Sequence, residues 1–367
     1  MKKLMIAMIA GSILAGVNAH AQEAAAKPQW TDSIKVKGDI RTRFESIDEE
    51  GKDTRDRARI RARLGAHAKV NDEVDAAIAL ASGSDDPVST NETLDGGFST
   101  KDIRLDLAYI DLHPELLGGG SVILGKMNMP FIAVNDLQWD GDLNPEGAAL
   151  NLELPAGDTV KLLVNGGAFW VEERSSDDET MLYGAQIAAD VKTDELKLTA
   201  GASYFLYDNI EGFAPIFDAE DSFGNSVIES EDGDLTYANE YEIVELFAKV
   251  GFDAGLPVTI SGNYVVNQDA DDNDTGYMVG IKLGKLKDPG SFDFGYSYRE
   301  LEADAVLGVY ADSDIGGGGS DIKGSKLSAG YQFAKNLSGN VSYFISQKGV
   351  DDGVDYDRIQ IDLIAKF

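Results

Sequence analysis

Five arginines, Arg55, Arg57, Arg59, Arg61 and Arg63, fall on every second residue of one short stretch, with Ala58, Ile60, Ala62 and Leu64 among the residues between them. In an extended strand alternate side chains point to opposite faces, so one face carries cations and the other small apolar groups. The preceding segment repeats the pattern: Lys35, Lys37, Asp39, Arg41, Arg43 and Glu45 alternate with Ile34, Val36, Gly38, Ile40, Thr42 and Phe44. Guanidiniums two residues apart lie ~6.6 Å from one another. They repel by ~0.6 kcal/mol in water and by far more in a dry interior. Such a face must be wet or met by carboxylates. The chemistry open to it is electrostatic: attracting anions, orienting water and setting a local field.

Candidate countercharges are Asp136, Asp140, Asp142 and Glu146, which lie in a long connection that also holds Pro130, Phe131 and Trp139. Bond-making chemistry has little to stand on. The only histidines beyond His20 are His67 and His113, cysteine is absent, and neither Gly-x-Ser-x-Gly nor His-Glu-x-x-His occurs. The acidic run Asp269 to Asp274 lacks the glycine and terminal glutamate of an EF-hand loop and reads as a solvated loop. No enzyme, cofactor or metal is expected. With 32 basic against 64 acidic residues the chain is a poor nucleic-acid binder.

A charged strand face suits either a soluble sandwich or a barrel with a wet bore. The N-terminus narrows the choice. Met1-Lys2-Lys3, the apolar run Leu4 to Val17 and the small-x-small triplet Ala19-His20-Ala21 form a secretory signal peptide over residues 1–21. Its removal leaves 30 basic against 64 acidic residues, a net charge of −34. A short leader follows over 22–32, and 33–367 is expected to be one domain. No mature segment is apolar for 18 residues, which argues against helical spans but not against a barrel.

Sixteen strands are predicted near 33–46, 56–70, 74–82, 102–113, 120–127, 146–154, 158–171, 180–191, 196–207, 240–253, 257–267, 275–285, 290–301, 323–334, 337–348 and 356–367. Their connections alternate in length. Short turns such as Asn71-Asp72-Glu73, Pro155-Ala156-Gly157 and Lys335-Asn336 alternate with longer polar connections near 47–55, 83–101, 128–145, 172–179, 208–239, 268–274, 302–322 and 349–355. An even-stranded meander with short turns at one end and long loops at the other is the organisation of outer-membrane barrels. The predicted fold class is therefore all-β, a 16-stranded antiparallel up-and-down transmembrane β-barrel. Barrels of sixteen to eighteen strands leave an aqueous channel. The third long connection is partly apolar and aromatic, so it is expected to fold inward. The connections at 208–239 and 302–322 could recognise a ligand, with Gly316 to Gly319 suggesting mobility in the second.

Taken together, the Arg-x-Arg ladder, Leu124-Gly125-Lys126 followed by Pro130, the segment Trp139-Asp140-Gly141-Asp142-Leu143-Asn144-Pro145-Glu146-Gly147 and the alternating last strand ending in Phe367 resemble the Gram-negative outer-membrane porin family. The resemblance spans nearly the whole mature chain and is poorly specific for substrate. It implies location in the outer membrane and passive diffusion of small hydrophilic solutes and ions. It also implies contact with lipid and lipopolysaccharide, recognition by the barrel-assembly machinery through Ile361, Leu363 and Phe367, and a homotrimer. Arg41, Arg43, Arg57, Arg59, Arg61 and Arg63 are the expected pore-lining wall, facing Asp136, Asp140, Asp142 and Glu146. Weak cation preference is expected from the acidic loops. A substrate-specific channel and a barrel-based surface adhesin stand as alternatives.

Overall fold

The computed structural model describes residues 33–367; the signal peptide and leader assigned to 1–32 lie outside the described residues. The alternating segments form sixteen barrel strands: β1 Ile34–Glu49, β2 Arg55–Lys69, β3 Val74–Ser82, β4 Ile103–Leu112, β5 Ser121–Lys126, β6 Glu146–Pro155, β7 Val160–Glu172, β8 Thr180–Lys192, β9 Leu196–Asp208, β10 Tyr241–Asp253, β11 Pro257–Asn267, β12 Thr275–Gly284, β13 Phe292–Leu301, β14 Ile322–Ala334, β15 Leu337–Lys348 and β16 Val354–Lys366. Each pairs antiparallel with its neighbour, and β1 pairs with β16 from Asp39↔Lys366 to Glu49↔Tyr356. This closes the sheet and removes the unpaired edges that lipid would not tolerate. Phe367 completes the seam by exchanging two 3.0 Å backbone hydrogen bonds with Gly38. A Cβ at Gly38 would lie 2.5 Å from the Phe367 ring, so the seam requires glycine there.

The outer surface carries the apolar half of the alternation. Ile187, Leu246, Ile260 and Val279 stand exposed between two aromatic levels: Tyr183, Tyr204, Tyr264 and Tyr277 toward the long loops, and Phe252, Phe292, Phe294, Tyr331 and Phe333 toward the short turns. An apolar band flanked by aromatic girdles is what a strand-crossed membrane demands. The arginine face points the other way: Arg41, Arg43 and Glu45 are buried in the bore, while Ile40 and Phe44 face out.

The bore is not empty. The connection of residues 127–145 folds inside it, burying Met127, Phe131, Leu137, Trp139 and Leu143. Residues 302–321, between β13 and β14, do the same with Ala305, Val306, Leu307, Val309, Ala311 and Ile315. Both pack on inward aromatics of β7, β9 and β10, notably Phe169, Phe205, Tyr207 and Tyr241, forming one apolar core within the barrel. The connection at 302–322, expected as one of the longer polar connections, thus lies largely inside the barrel. Its apolar residues find more dry contact inside the barrel than at the mouth. Residues 209–240 cap the same side with a small hairpin, Val227–Glu229 paired to Leu235–Tyr237.

Candidate functional site

The basic wall is built by β1, β2 and β16. Their register sets Arg41 opposite Arg61, Arg43 opposite Arg59, and Arg43 opposite Asp362. Like charges directly across a ladder are destabilising, so carboxylates must be interleaved. Asp362 takes Arg43 in a two-point contact, Nε to Oδ1 at 2.7 Å and Nη2 to Oδ2 at 2.9 Å. Asp39 accepts from Arg61 at 2.8 Å. Glu45, fully buried, is shared by Arg358 at 2.5 Å, Arg57 at 2.5 Å and Arg59 at 3.7 Å. Arg41 meets no carboxylate among the described residues and donates instead to Asn91. Asn91 comes from the connection after β3, where Glu92–Thr93 pairs with β2 at Arg59 and Ile60.

The inward loop at 127–145 runs along the wall and then spans the bore. Asn151 of β6 donates to the Pro130 carbonyl at 2.9 Å, and Gln186 of β8 accepts from the Ile132 amide at 2.8 Å. Phe131 stands edge-on to Phe169 and Phe205, with centroids 6.0 and 5.0 Å away. Its ring tip occupies the notch left by Gly184, where a Cβ would come within 2.3 Å of it. Trp139 packs edge-on to Phe205 at 5.2 Å, inside the barrel.

The four predicted acidic residues divide. Asp142 meets the arginine ladder, 2.5 Å from Arg63 and 3.9 Å from Arg61. Burial alone would raise its carboxyl, but Arg63 and Arg61 outweigh that and hold it below the usual range. Asp136 does not face the ladder. It pairs with Arg299 of β13 at 2.5 Å and lies 3.9 Å from Lys326 of β14, which keep it charged despite burial. Asp140 pairs with no arginine among the described residues. Its carboxylate accepts from the Ser313 amide at 3.1 Å and the Asp142 amide at 2.7 Å, tying the two inward loops together. Burial, then nearby Asp312, push it up to about 7. Glu146 is the first residue of β6; it pairs with Lys126 at 2.9 Å, exposed at the rim, and is no part of a counter-wall.

Periodicity could place a residue on the inner face but not name its partner across the bore. It therefore missed the second loop's contribution. Asp312 accepts from Arg299 at 3.0 Å. Asp314 pairs with Arg358 at 3.0 Å and Arg43 at 3.5 Å, which hold its carboxyl low against burial. Arg358 and Asp362 carried a signal, since both sit on the polar face of the alternating last strand. Arg299 is the lone cation of its strand and Lys326 shares its own only with Lys323, and they carried almost none.

A closed sixteen-strand barrel with a charged interior and inward loops has an explanation in descent. A family profile described as "Putative porin" matches residues 47–218 and 232–367, most of the chain. The chain belongs to that porin family. It is an outer-membrane barrel forming a channel for passive diffusion. No curated protein matches the sequence significantly. Among solved structures it is similar to Salmonella typhi OmpF in complex with daunomycin, at TM-score 0.56 and 13% identity, covering 92% of this chain and 99% of that one. It is also similar to the trimer form of OmpT, an outer membrane protein of Vibrio cholerae, at 0.52 and 14%, covering 92% and 100%. A triple mutant of Rhodopseudomonas blastica porin matches at 0.52 and 13%, covering 91% and 100%. At such identities these likenesses concern the fold alone. The family match is what makes this porin a porin.

Proposed function

We propose that this porin passes small hydrophilic solutes and ions along a wet path bounded by the arginines of β1 and β2 and by carboxylates of its inward loops. The observation that carries this reading is Asp142, which reaches from the loop at 127–145 to Arg63 and Arg61. Cations on one wall and anions on a facing loop set a transverse field that orders water and polar solutes and disfavours apolar ones. Arg41, Arg43, Arg57, Arg59, Arg61 and Arg63 supply the cationic side. Asp142, together with Asp314 of the second loop, supplies the anionic side. Phe131, Trp139 and Pro130 act by anchoring the loop.

Residues 1–21 are read as a cleaved export signal. Ile361, Leu363 and Phe367 at the closing strand are read as the segment engaged by the barrel-assembly machinery, with lipid and lipopolysaccharide on the outer face. The assembly proposed is a homotrimer; the trimer form of the similar Vibrio cholerae OmpT supports it. A solute-specific channel is the second reading, favoured by one feature: residues 302–321 fold inward beside 127–145, so two loops narrow the bore. Swelling of proteoliposomes in graded sugars separates the readings. A diffusion pore admits sugars by size, whereas a specific channel admits one class against the size order. Absence of both swelling and bilayer conductance would sink the channel reading.

A further inference from the structure

Above the constriction, at the long-loop end, a cavity of about 440 Å³ lies between the upper part of β2 and the ends of β15 and β16. Its size is that of a small-ligand pocket. Six cationic side chains line it: Lys52, Arg55, Arg57, Arg59, Lys348 and Arg358. Against them stand three lining carboxylates, Glu49, Asp53 and Asp86, with Glu45 just below. Two of these carboxylates are already shared. Glu49 holds both Lys52, at 2.8 Å, and Lys348, at 3.5 Å, and Glu45 serves three arginines. Burial pushes the Asp86 carboxyl up, which weakens its use as a countercharge. Positive charge is therefore in excess here, on a chain that is acidic as a whole.

Two arginines are short of partners. Arg55 makes no ion pair among the described residues. The Arg59 guanidinium is largely buried, has a 3.7 Å contact with the shared Glu45 and a 3.3 Å hydrogen bond to the Asn91 carbonyl, and its buried Nε has no hydrogen-bond partner among the described residues. A buried, half-satisfied guanidinium is costly unless a ligand completes it. The rim opposite is backbone: Gly317, Gly318 and Gly319 all have positive φ, at 85, 100 and 90°, and add no side chain to fill the space. A Cβ on Gly317 would come within 2.9 Å of the Lys348 side chain, so bare backbone leaves room for that lysine at the cavity wall.

We propose that this cavity is a binding site for a small oxyanion, a carboxylate or a phosphate group, held by Arg59 and Arg55 on one side and Lys348 on the other. The planar guanidinium fork matches such groups in two-point contacts, and the lysine adds a point charge. The site selects anionic solutes at the outer mouth, before the constriction acts. It rests on the channel reading only for the side from which solute arrives.

The test uses the full-length porin in detergent micelles and in planar bilayers, with inorganic phosphate and succinate as probes. Calorimetry should show saturable binding to the wild type. Arg59→Ala should weaken it at least ~tenfold, the loss expected for one charge-assisted contact. Arg55→Ala, at an exposed strand tip where folding is not at stake, should weaken it too, while Lys161→Ala near a distant turn should not. In bilayers the same anions, added at the long-loop side, should block chloride current saturably. Conductance without binding or block overturns the proposal and leaves the channel reading intact. Binding without conductance upholds the site and removes the channel. Binding unchanged in both arginine variants overturns the proposal, because the anion then sits elsewhere.

Discussion

Arg63, Asp142, Arg299 and Asp140 are the side chains whose replacement is most informative. Asp142 neutralises Arg63 and lies near Arg61. Asp142→Asn should therefore leave Arg63 uncompensated, Arg61 keeping Asp39, and shift the reversal potential toward anions; an unmoved potential would mean that Arg63 lies off the ion path. The opposite change, Arg59→Glu with Arg61→Glu, should shift selectivity strongly toward cations. Arg299 is buried and bonded to both Asp136 and Asp312. Replacing it with methionine strands two carboxylates and should destabilise the barrel by about 3 kcal/mol or more, seen as a lower melting temperature in detergent. Asp140 carries a pH dependence of definite sign. Its carboxyl is raised from 3.8 to about 7, by burial first and then by Asp312. The stability conferred by its proton is complete below its ordinary value and lost as pH rises through about 7. Asp136, Asp142 and Asp314 are held low and act in the reverse sense, losing their contribution only in strong acid. Contact between the two inward loops should therefore loosen from mildly acidic to mildly alkaline pH. Exchange of the Asp140 amide, which donates to the Tyr310 carbonyl, and of the Ser313 amide would report it, and Asp140→Asn should flatten the dependence.

At the scale of elements, the two inward loops behave as a packed body. Phe131 seats its ring in the Gly184 notch against Phe169 and Phe205, so Phe131→Ala should cost about 3–5 kcal/mol. That loss should release the loop and raise conductance. The loop at 302–321 offers a cleaner test, because it is tied to the wall through Asp312 and Asp314 and buries an apolar run. Replacing residues 303–320 with a short Gly/Ser link should leave the barrel assembled and increase single-channel conductance several-fold. An unchanged conductance would show that ions never pass that loop. The strands themselves were legible: alternation placed all sixteen to within three residues at either end. Period-2 burial is local physics, written in each segment by itself. The apolar, aromatic character of 127–145 likewise announced an inward fold. For 302–321 the run Ala305 to Val309 held a similar signal, but the glycines beside it suggested mobility. In the folded protein those glycines supply the positive φ that turns the chain back within the barrel.

The whole molecule combines a formal charge of −32 with a locally basic outer cavity. Acidic loops such as Glu229 to Asp234 should enrich cations at the mouth, while the cavity holds anions. Net selectivity should thus be weakly cationic at low salt and fade near 1 M, where the Debye length is only about 3 Å. Reversal potentials measured across a salt series would check this. An outer surface banded by two aromatic levels suits a lipid-embedded barrel, and crosslinking in native membranes would test the proposed trimer.

Fold class, strand number, the inward arginine face and family were determined by the sequence alone, since each rests on residues near one another in the chain. The pairing of charges was decided only by the closed barrel. Closure brings β16 against β1, placing Asp362 on Arg43 and Arg358 on Glu45. With the loop at 302–321 folded inward, it also sets Asp314 between Arg358 and Arg43, on either side of the closing seam. A Coulomb partner is set by distance in space, and residues more than three hundred positions apart in the chain meet here only because the sheet closes.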